Sequence, residues 1–224
     1  MACYKIINDE EALINFINWL PDLRDNETFY LSLFARKKYA PEAGFVKAND
    51  KTQLKRFTAN KLNMLDKIKQ LEIPLGRYKL KDVVAPQEAL VLYIMPNPRC
   101  MKKATELMGK KCWDLYKSDG FNLHQEAMSC IQQSKSYSYV VDFDIDTKDV
   151  DLTKLNVIFS DFNTYHKVLE TKGGYHILIN PQEALHKTWF KQIQESFPVD
   201  QSSDQMLPVV GCTQGGFTPK FITI

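Results

Sequence analysis

The sequence has almost no excess of charge of either sign: 29 Lys and Arg stand against 27 Asp and Glu, a formal net charge of +2. No global basic field announces a polyanionic partner, so any nucleic-acid surface must come from local clustering. CxxC pairs are missing as well. The five cysteines, Cys3, Cys100, Cys112, Cys130 and Cys212, lie far apart and are odd in number. That argues against a complete disulfide framework and against a zinc knuckle, and predicts free thiols in a reducing compartment. Long apolar runs are absent, none approaching the ~20 residues needed to span a bilayer. The opening residues MACYKIINDEEALINF carry acids where a signal peptide has a basic lead and an apolar run. These absences predict an intracellular, cytoplasmic, soluble protein with no membrane partner. Repeats, low-complexity tracts and obvious linkers are lacking too, so a single domain over 1–224 is expected.

What is present is an ordinary globular composition, 44% hydrophobic and 25% charged, with periodicities of both kinds. Acids at 9–11 precede Leu13, Ile14, Phe16, Ile17 and Leu20 at near-helical spacing, closed by Pro21, which predicts a first helix. ETFYLSLFARKKY reads as a strand entering the basic segment Arg36, Lys37, Lys38. From Thr52 to Leu71 the apolar residues Leu54, Phe57, Leu62, Leu65, Ile68 and Leu71 share one helical face, which predicts a second helix. ALVLYIM has strand length and is cut at 96–99 by PNPR, where two prolines predict an extended turn. A helix follows over CMKKATELMGKKCWDLYK, carrying Lys102, Lys103, Lys110, Lys111 and Lys117. SYSYVVDFDID, LNVIFSDF and GYHILIN read as further strands, and ALHKTWFKQIQESF as a last amphipathic helix. The pattern is that of one mixed α and β domain.

The stretch YVVDFDID at 139–146 concentrates the chemistry. Period two puts Asp142, Asp144 and Asp146 on one face of a strand, with Phe143 and Ile145 driven into a core on the other. Neighbouring carboxylates repel, and burial adds to the cost of their charge. A divalent cation in front of them removes the conflict, and Mg²⁺, which favours carboxylate and phosphate oxygens, is the fitting ion. A solvated acidic strand end is the plainer explanation of the same residues. A calcium loop of the EF-hand type is not, because Thr147 stands where Gly is needed and Thr153 where Glu is needed.

Downstream, Gly173 and Gly174 precede a strand carrying His176, with Lys172 beside them. Paired glycines let backbone N–H groups approach a polyphosphate, Lys172 adds a point charge, and His176 is a donor to a phosphate oxygen. An ordinary hairpin turn and a satisfied strand histidine account for the same residues. Further on, Asp200 and Asp204 stand before a glycine-rich loop, as remote acids of the kind a metal site recruits, or as solvated loop aspartates.

Taken in order, these pieces resemble the catalytic core of the archaeo-eukaryotic primase superfamily, the primases and primase-polymerases. VVDFDID resembles its strand ending in D-x-D, KGGYHIL its turn leading to a strand histidine, and DQMLPVVG with TQGG its third acidic motif. LYIMPNPR and FYLSLFARKKY resemble looser upstream features, so the likeness spans most of the chain. Many members carry Ser-x-His at the second motif, where this chain has Gly174-Tyr175-His176. Both Asp142/Asp144 and Asp144/Asp146 fit D-x-D. For the third acid Asp204 is preferred, with Asp200 as substitute.

The resemblance implies an α+β fold, with an N-terminal α/β portion over about 1–130 and an RRM-like portion over about 131–224. A mixed sheet and an active-site cleft between the two halves are expected. It implies template-directed joining of NTPs or dNTPs on single-stranded DNA, with two Mg²⁺ or Mn²⁺ ions held by Asp142, Asp144 and Asp204, and Asp146 or Asp200 as further ligands. Lys172, Gly173, Gly174 and His176 would cradle the triphosphate, and Arg99 would touch phosphate or template or else cap its turn. Arg36, Lys37, Lys38, Lys102, Lys103, Lys110 and Lys111 would track template phosphates, where a solvated helix face is the commoner explanation. A replicative helicase and other replication proteins are the partners such an enzyme implies, since no helicase or zinc-binding segment is present. A nucleotide- or nucleic-acid-binding module with altered catalysis, and a metal-dependent phosphohydrolase or nuclease, use the same residues.

Overall fold

Asp9 begins the first element: its carboxylate accepts the N–H of Ala12 at 3.0 Å, with Glu10 and Glu11 in the first turn. The resulting helix α1 (Glu10–Trp19) buries Leu13, Phe16 and Ile17, as the spacing predicts. In the computed structural model the chain is described except at residues 1, 44–50, 81–82, 116–121, 161–165 and 184–187.

After α1 come β1 (Glu27–Arg36), β2 (Lys51–Ala59), α2 (Met64–Lys69), the short pair β3 (Lys79–Leu80) and β4 (Val83–Val84), and β5 (Leu90–Cys100). Two helices follow, α3 (Met101–Leu115) and α4 (Leu123–Gln133), then β6 (Val141–Ile145), α5 (Lys154–Ser160), β7 (His166–Glu170) and β8 (Tyr175–Ile179). The chain closes with α6 (Trp189–Ser196), β9 (Gln201–Ser203), β10 (Leu207–Pro208) and β11 (Lys220–Ile222). The larger sheets have strand orders β10-β5-β1-β2 and β11-β7-β8-β6-β9. Every pairing in them is antiparallel, where a mixed sheet was expected. The fold is mixed α and β. Among the described residues no helix is long and apolar enough to cross a membrane.

Alternation along the strands divides the interior into layers. Leu31, Leu33, Leu92 and Ile94 of the first sheet face α1 and α2, and share one core with Leu169 and Leu178 of the second and with Val140 just before β6. The opposite face of the first sheet, with Tyr30 and Met95, is capped at one end by Met128 and Ile131 of α4. Phe143, Ile145 and Ile177 point to the far side of the second sheet, against α5 and α6. Residues 207–212 return from the C-terminal half to the first sheet, where Leu207 pairs with Ile94 and Val209 and Val210 join the first core. The two portions are thus interlocked by the chain itself.

Three local expectations are corrected. The predicted helix over 52–71 is a strand followed by the short helix α2. Leu33 pairs with Lys55 and Phe34 with Gln53, so Leu54 is an extra bulged residue. The bulge lets Leu54 and Phe57, three apart, reach the same core, and so imitates helical spacing. PNPR does not end its strand, because β5 runs through to Cys100 with a register irregularity between Thr28 and Tyr30 opposite the prolines. Prolines are accepted where the ladder is interrupted and their missing N–H is not required. LNVIFSDF, read as a strand, has its residues 155–160 in α5, burying Leu155, Ile158 and Phe159 at helical spacing, and its last two lie outside the described residues. Short apolar runs satisfy both periods, and the contacts available decide. The α4 helix, opened by Asn122 accepting the N–H of Gln125, and strand β7 went unread.

Candidate functional site

Asp142 and Asp144 occupy one face of β6, and Phe143 and Ile145 the other. Burial of these two side chains, worth ~1.5–3 kcal/mol each, offsets the electrostatic cost of the acid-bearing face. β8 runs antiparallel beside β6 and sets His176 directly opposite Asp144. The imidazole thereby lies between two carboxylates. Its Nδ1 is 3.0 Å from both oxygens of Asp142, and its Nε2 is 3.7 Å from Oδ1 of Asp144. Asp142 and His176 are buried, and Asp144 is half-buried. Asp146 lies past the end of the strand and is exposed.

Electrostatics follow from this packing. Burial alone would lower the pKa of His176, but the charge and hydrogen bond of Asp142, helped by Asp144 and Asp146, outweigh it and hold the ring above its ordinary range. Burial, and then the carboxylates of Asp142, Asp146 and Asp200, push Asp144 upward, with His176 opposing them. An under-compensated carboxylate among other acids is a donor set suited to a cation, and in this respect Asp144 fits a divalent metal. Asp200 extends the set, since its N–H donates to the carbonyl of Asp144 at 2.8 Å, beyond the pairing of β9 with β6.

Asp204 is placed differently. Arg99 Nη2 donates to its Oδ1 at 2.7 Å and its Oδ2 at 2.8 Å, and Asn97 Nδ2 donates to Oδ1 at 2.8 Å. Arg99 is buried and also donates through Nη1 to the carbonyl of Gln132 at 2.9 Å. The expected third metal ligand and the expected phosphate-binding arginine therefore neutralise each other. Asn97 completes the arrangement: its Oδ1 accepts the N–H groups of Tyr139 and Val140, and its Nδ2 donates to the carbonyl of Val140. The PNPR segment thus fastens the start of β6 and fixes the level at which the acids emerge.

The paired glycines serve the hairpin between β7 and β8. A Cβ on Gly174 would lie 1.8 Å from the carbonyl oxygen of Ile145, so only glycine fits against the end of β6. The N–H of Gly174 donates to Thr171 Oγ1 at 3.2 Å, and its carbonyl accepts from the Thr171 N–H. That N–H thus has a partner within the turn itself. Gly173 lines the acidic cleft, and Lys172 turns aside, its ammonium on the carbonyl of Gly215 and 4.8 Å from the Tyr39 ring centre.

Asp144, Asp146 and His176 form one wall of a cleft of about 80 Å³, and Arg36, Lys38 and Lys51 contribute to its lining. Arg36 Nη1 donates to the phenolic oxygen of Tyr93 at 2.8 Å, which steadies it there. Arg36 and Lys38, expected on a template path, thus share a cleft with the acids. Lys37 is exposed in the turn following β1 and is not among the lining residues. Lys102, Lys103, Lys110 and Lys111 lie on α3, away from the cleft, where Lys111 pairs with Glu126 at 2.8 Å and Lys103 donates to the carbonyl of Lys135. Lys117 lies outside the described residues. Lys51, Tyr93, Asn97 and Gln205 were missed or misjudged. Only Asn97 carried a signal, its place between two prolines.

Among the described residues, no group of three or more His, Cys, Asp or Glu side chains is gathered closely enough to hold a metal ion. Asp204 is engaged by Arg99 and Asn97, and the carboxylates that line the acidic cleft are those of Asp144 and Asp146. Comparison with protein-family models, curated proteins and solved structures gave no match to this chain.

Proposed function

We propose that the protein is a template-directed nucleotidyltransferase of the primase and primase-polymerase type, joining NTPs or dNTPs on single-stranded DNA. The carrying observation is the register of β6 and β8, which packs Asp142, Asp144 and His176 together at a cleft also lined by Arg36, Lys38 and Lys51. The RRM-like reading of the second half draws support from its element order. The run β6-α5-β7-β8-α6-β9, with strands ordered β7-β8-β6-β9, is that of a split βαβ sheet.

In-line displacement at an α-phosphorus, with pyrophosphate leaving, asks the protein mainly to position charged groups and to neutralise charge. Arg36, Lys38 and Lys51 would neutralise phosphate oxygens. His176, oriented by the contact of its Nδ1 with Asp142, would present its Nε2 edge from the acidic wall. Asp144, with substrate phosphates as the other partners, would hold Mg²⁺ or Mn²⁺, which would supply charge neutralisation at the phosphates and a more acidic attacking hydroxyl. Single-stranded template, labelled nucleotides and either metal test the proposal. Extension or primer synthesis that disappears in Asp144→Asn is expected, and no product under any metal overturns it.

One observation favours a second reading. Asp204 is held by Arg99 and Asn97, which removes an acid from the expected set. A nucleotide-binding module without turnover fits that state, and nucleotide binding with no product in the same assay would select it.

A further inference from the structure

A second cavity adjoins the cleft. Its volume is about 360 Å³, within the ~300–1,000 Å³ usual for small-molecule sites. Lys51, Tyr93, Gln205 and Met206 line both spaces, so they are neighbouring parts of one depression. The cavity rests on the face of the first sheet that α3 and α4 leave uncovered at one end. Phe34 and Tyr93 meet there nearly at right angles, with ring centres 5.8 Å apart, forming an aromatic corner. Met95 and Met206 add polarisable thioethers, which sit well against flat π-systems.

The polar part of the lining is sparse and specific. Gln205 Nε2 is buried with no hydrogen-bond partner among the described residues, a donor whose desolvation is uncompensated. Gln132 contributes a second amide, whose Nε2 makes a long contact of 3.9 Å to Met206 Sδ. Asp204 also lines the cavity, but its charge is balanced by Arg99. The site thus offers aromatic and thioether surface with two amides at the edge, and Lys51 leads toward the acids.

We propose that this cavity holds the nucleobase of the nucleotide whose phosphates lie in the cleft, a proposal that rests on the nucleotidyltransferase reading. A base stacks on an aromatic or thioether surface and presents carbonyl and ring-nitrogen acceptors that the Gln205 amide can satisfy. An acyl chain would leave that donor unpaired. The consequence is that the protein grips a nucleotide by its base before any template pairs with it.

Template-free binding tests this. Titrate the full chain, with Mn²⁺ present, with each of the four dNTPs and with inorganic tripolyphosphate. At least one dNTP is expected to bind about tenfold or more tightly than tripolyphosphate, and Phe34→Leu and Met206→Ala are expected to erase most of that advantage. Circular dichroism confirms that each variant is folded, and the two variants probe the cavity independently. Equal affinity of dNTPs and tripolyphosphate for the wild type would overturn the base site and leave the phosphate cleft standing. A dNTP preference that survives in both variants would place the base elsewhere and also overturn it. Binding of neither probe would overturn the nucleotidyltransferase reading together with this one.

Discussion

Arg99 Nη2 donates to both carboxylate oxygens of Asp204, at 2.7 and 2.8 Å, while the guanidinium is 1% exposed. A charge so deeply buried depends on its partner. Removing one member of a buried pair typically costs ~3–5 kcal/mol, because the other is left uncompensated. Asp204→Asn is therefore expected to lose about that much stability in urea denaturation, discounted toward the lower figure because the Asp204 side chain is 20% exposed. Asp200→Asn, at an exposed position, should change stability by no more than ~0.5 kcal/mol. Manganese titration separates their roles: Asp200→Asn weakens binding, and the folded fraction of Asp204→Asn retains it. The opposite ranking would return Asp204 to the metal site.

The hairpin glycines make a sharper pair. Gly174 has no space for a Cβ, which would lie 1.8 Å from a backbone oxygen, whereas a Cβ on Gly173 would meet Asp146 Oδ1 at an ordinary 3.5 Å. Gly174→Ala forces the end of β6 away from β8 and is expected to cost about 3 kcal/mol or more. Gly173→Ala should be tolerated within ~0.5 kcal/mol. Thermal denaturation of the two variants reads this directly, and equal melting temperatures would contradict the packing described.

What the sequence could reveal was local. Period two in VVDFDID predicts Asp142, Asp144 and Asp146 on one face and Phe143 and Ile145 on the other, and the strand carries the first two acids while Asp146 lies past its end. The nearness of His176 needed only that GYHILIN pair with that strand. The pairing of Asp204 with Arg99 was not legible, because the two are 105 residues apart in the chain and only the folded register brings them together. The residues at 52–57 misled for a related reason, since the bulge at Leu54 exists only through pairing with β1. The basic lining was legible in part: Arg36 and Lys38 stood out as charges, but their place beside the acids is a property of how the two sheets meet.

The acid–histidine pair predicts a pH dependence. The folded pKa of His176 lies above its ordinary 6.5, so the stability it contributes is fully present below that value and is lost as pH rises through the folded pKa. Asp144 acts in the same direction at lower pH. Its folded pKa is raised above 3.8, so the native state binds more protons and stability falls as pH rises from there. In metal-free protein the urea midpoint should decline as pH rises above 6.5, and decline less in His176→Gln. Titration of the imidazole by NMR should also show its pKa falling in Asp142→Asn. A flat midpoint in the wild type would contradict the pairing.

Asp144 carries the last prediction, in which stability and function move oppositely. Its carboxylate is half-buried among Asp142, Asp146 and Asp200, whose charges and its own burial outweigh the opposing effect of His176 at 3.7 Å. Without metal, the ionised form is therefore held at a cost that the neutral amide of Asn does not carry, and Asn has nearly the same shape. Asp144→Asn should keep or raise the melting temperature of the metal-free protein near neutral pH, while abolishing nucleotide joining and weakening Mn²⁺ binding. Adding Mn²⁺ should then stabilise the wild type and leave the variant almost unmoved, since a ligand stabilises only the state that binds it. Sites that act on substrate commonly carry such conflicts, and relieving one yields a more stable and less active chain. A variant that melts well below the wild type in the absence of metal would show that Asp144 supports the fold instead, and that the acidic wall was not arranged to receive a cation.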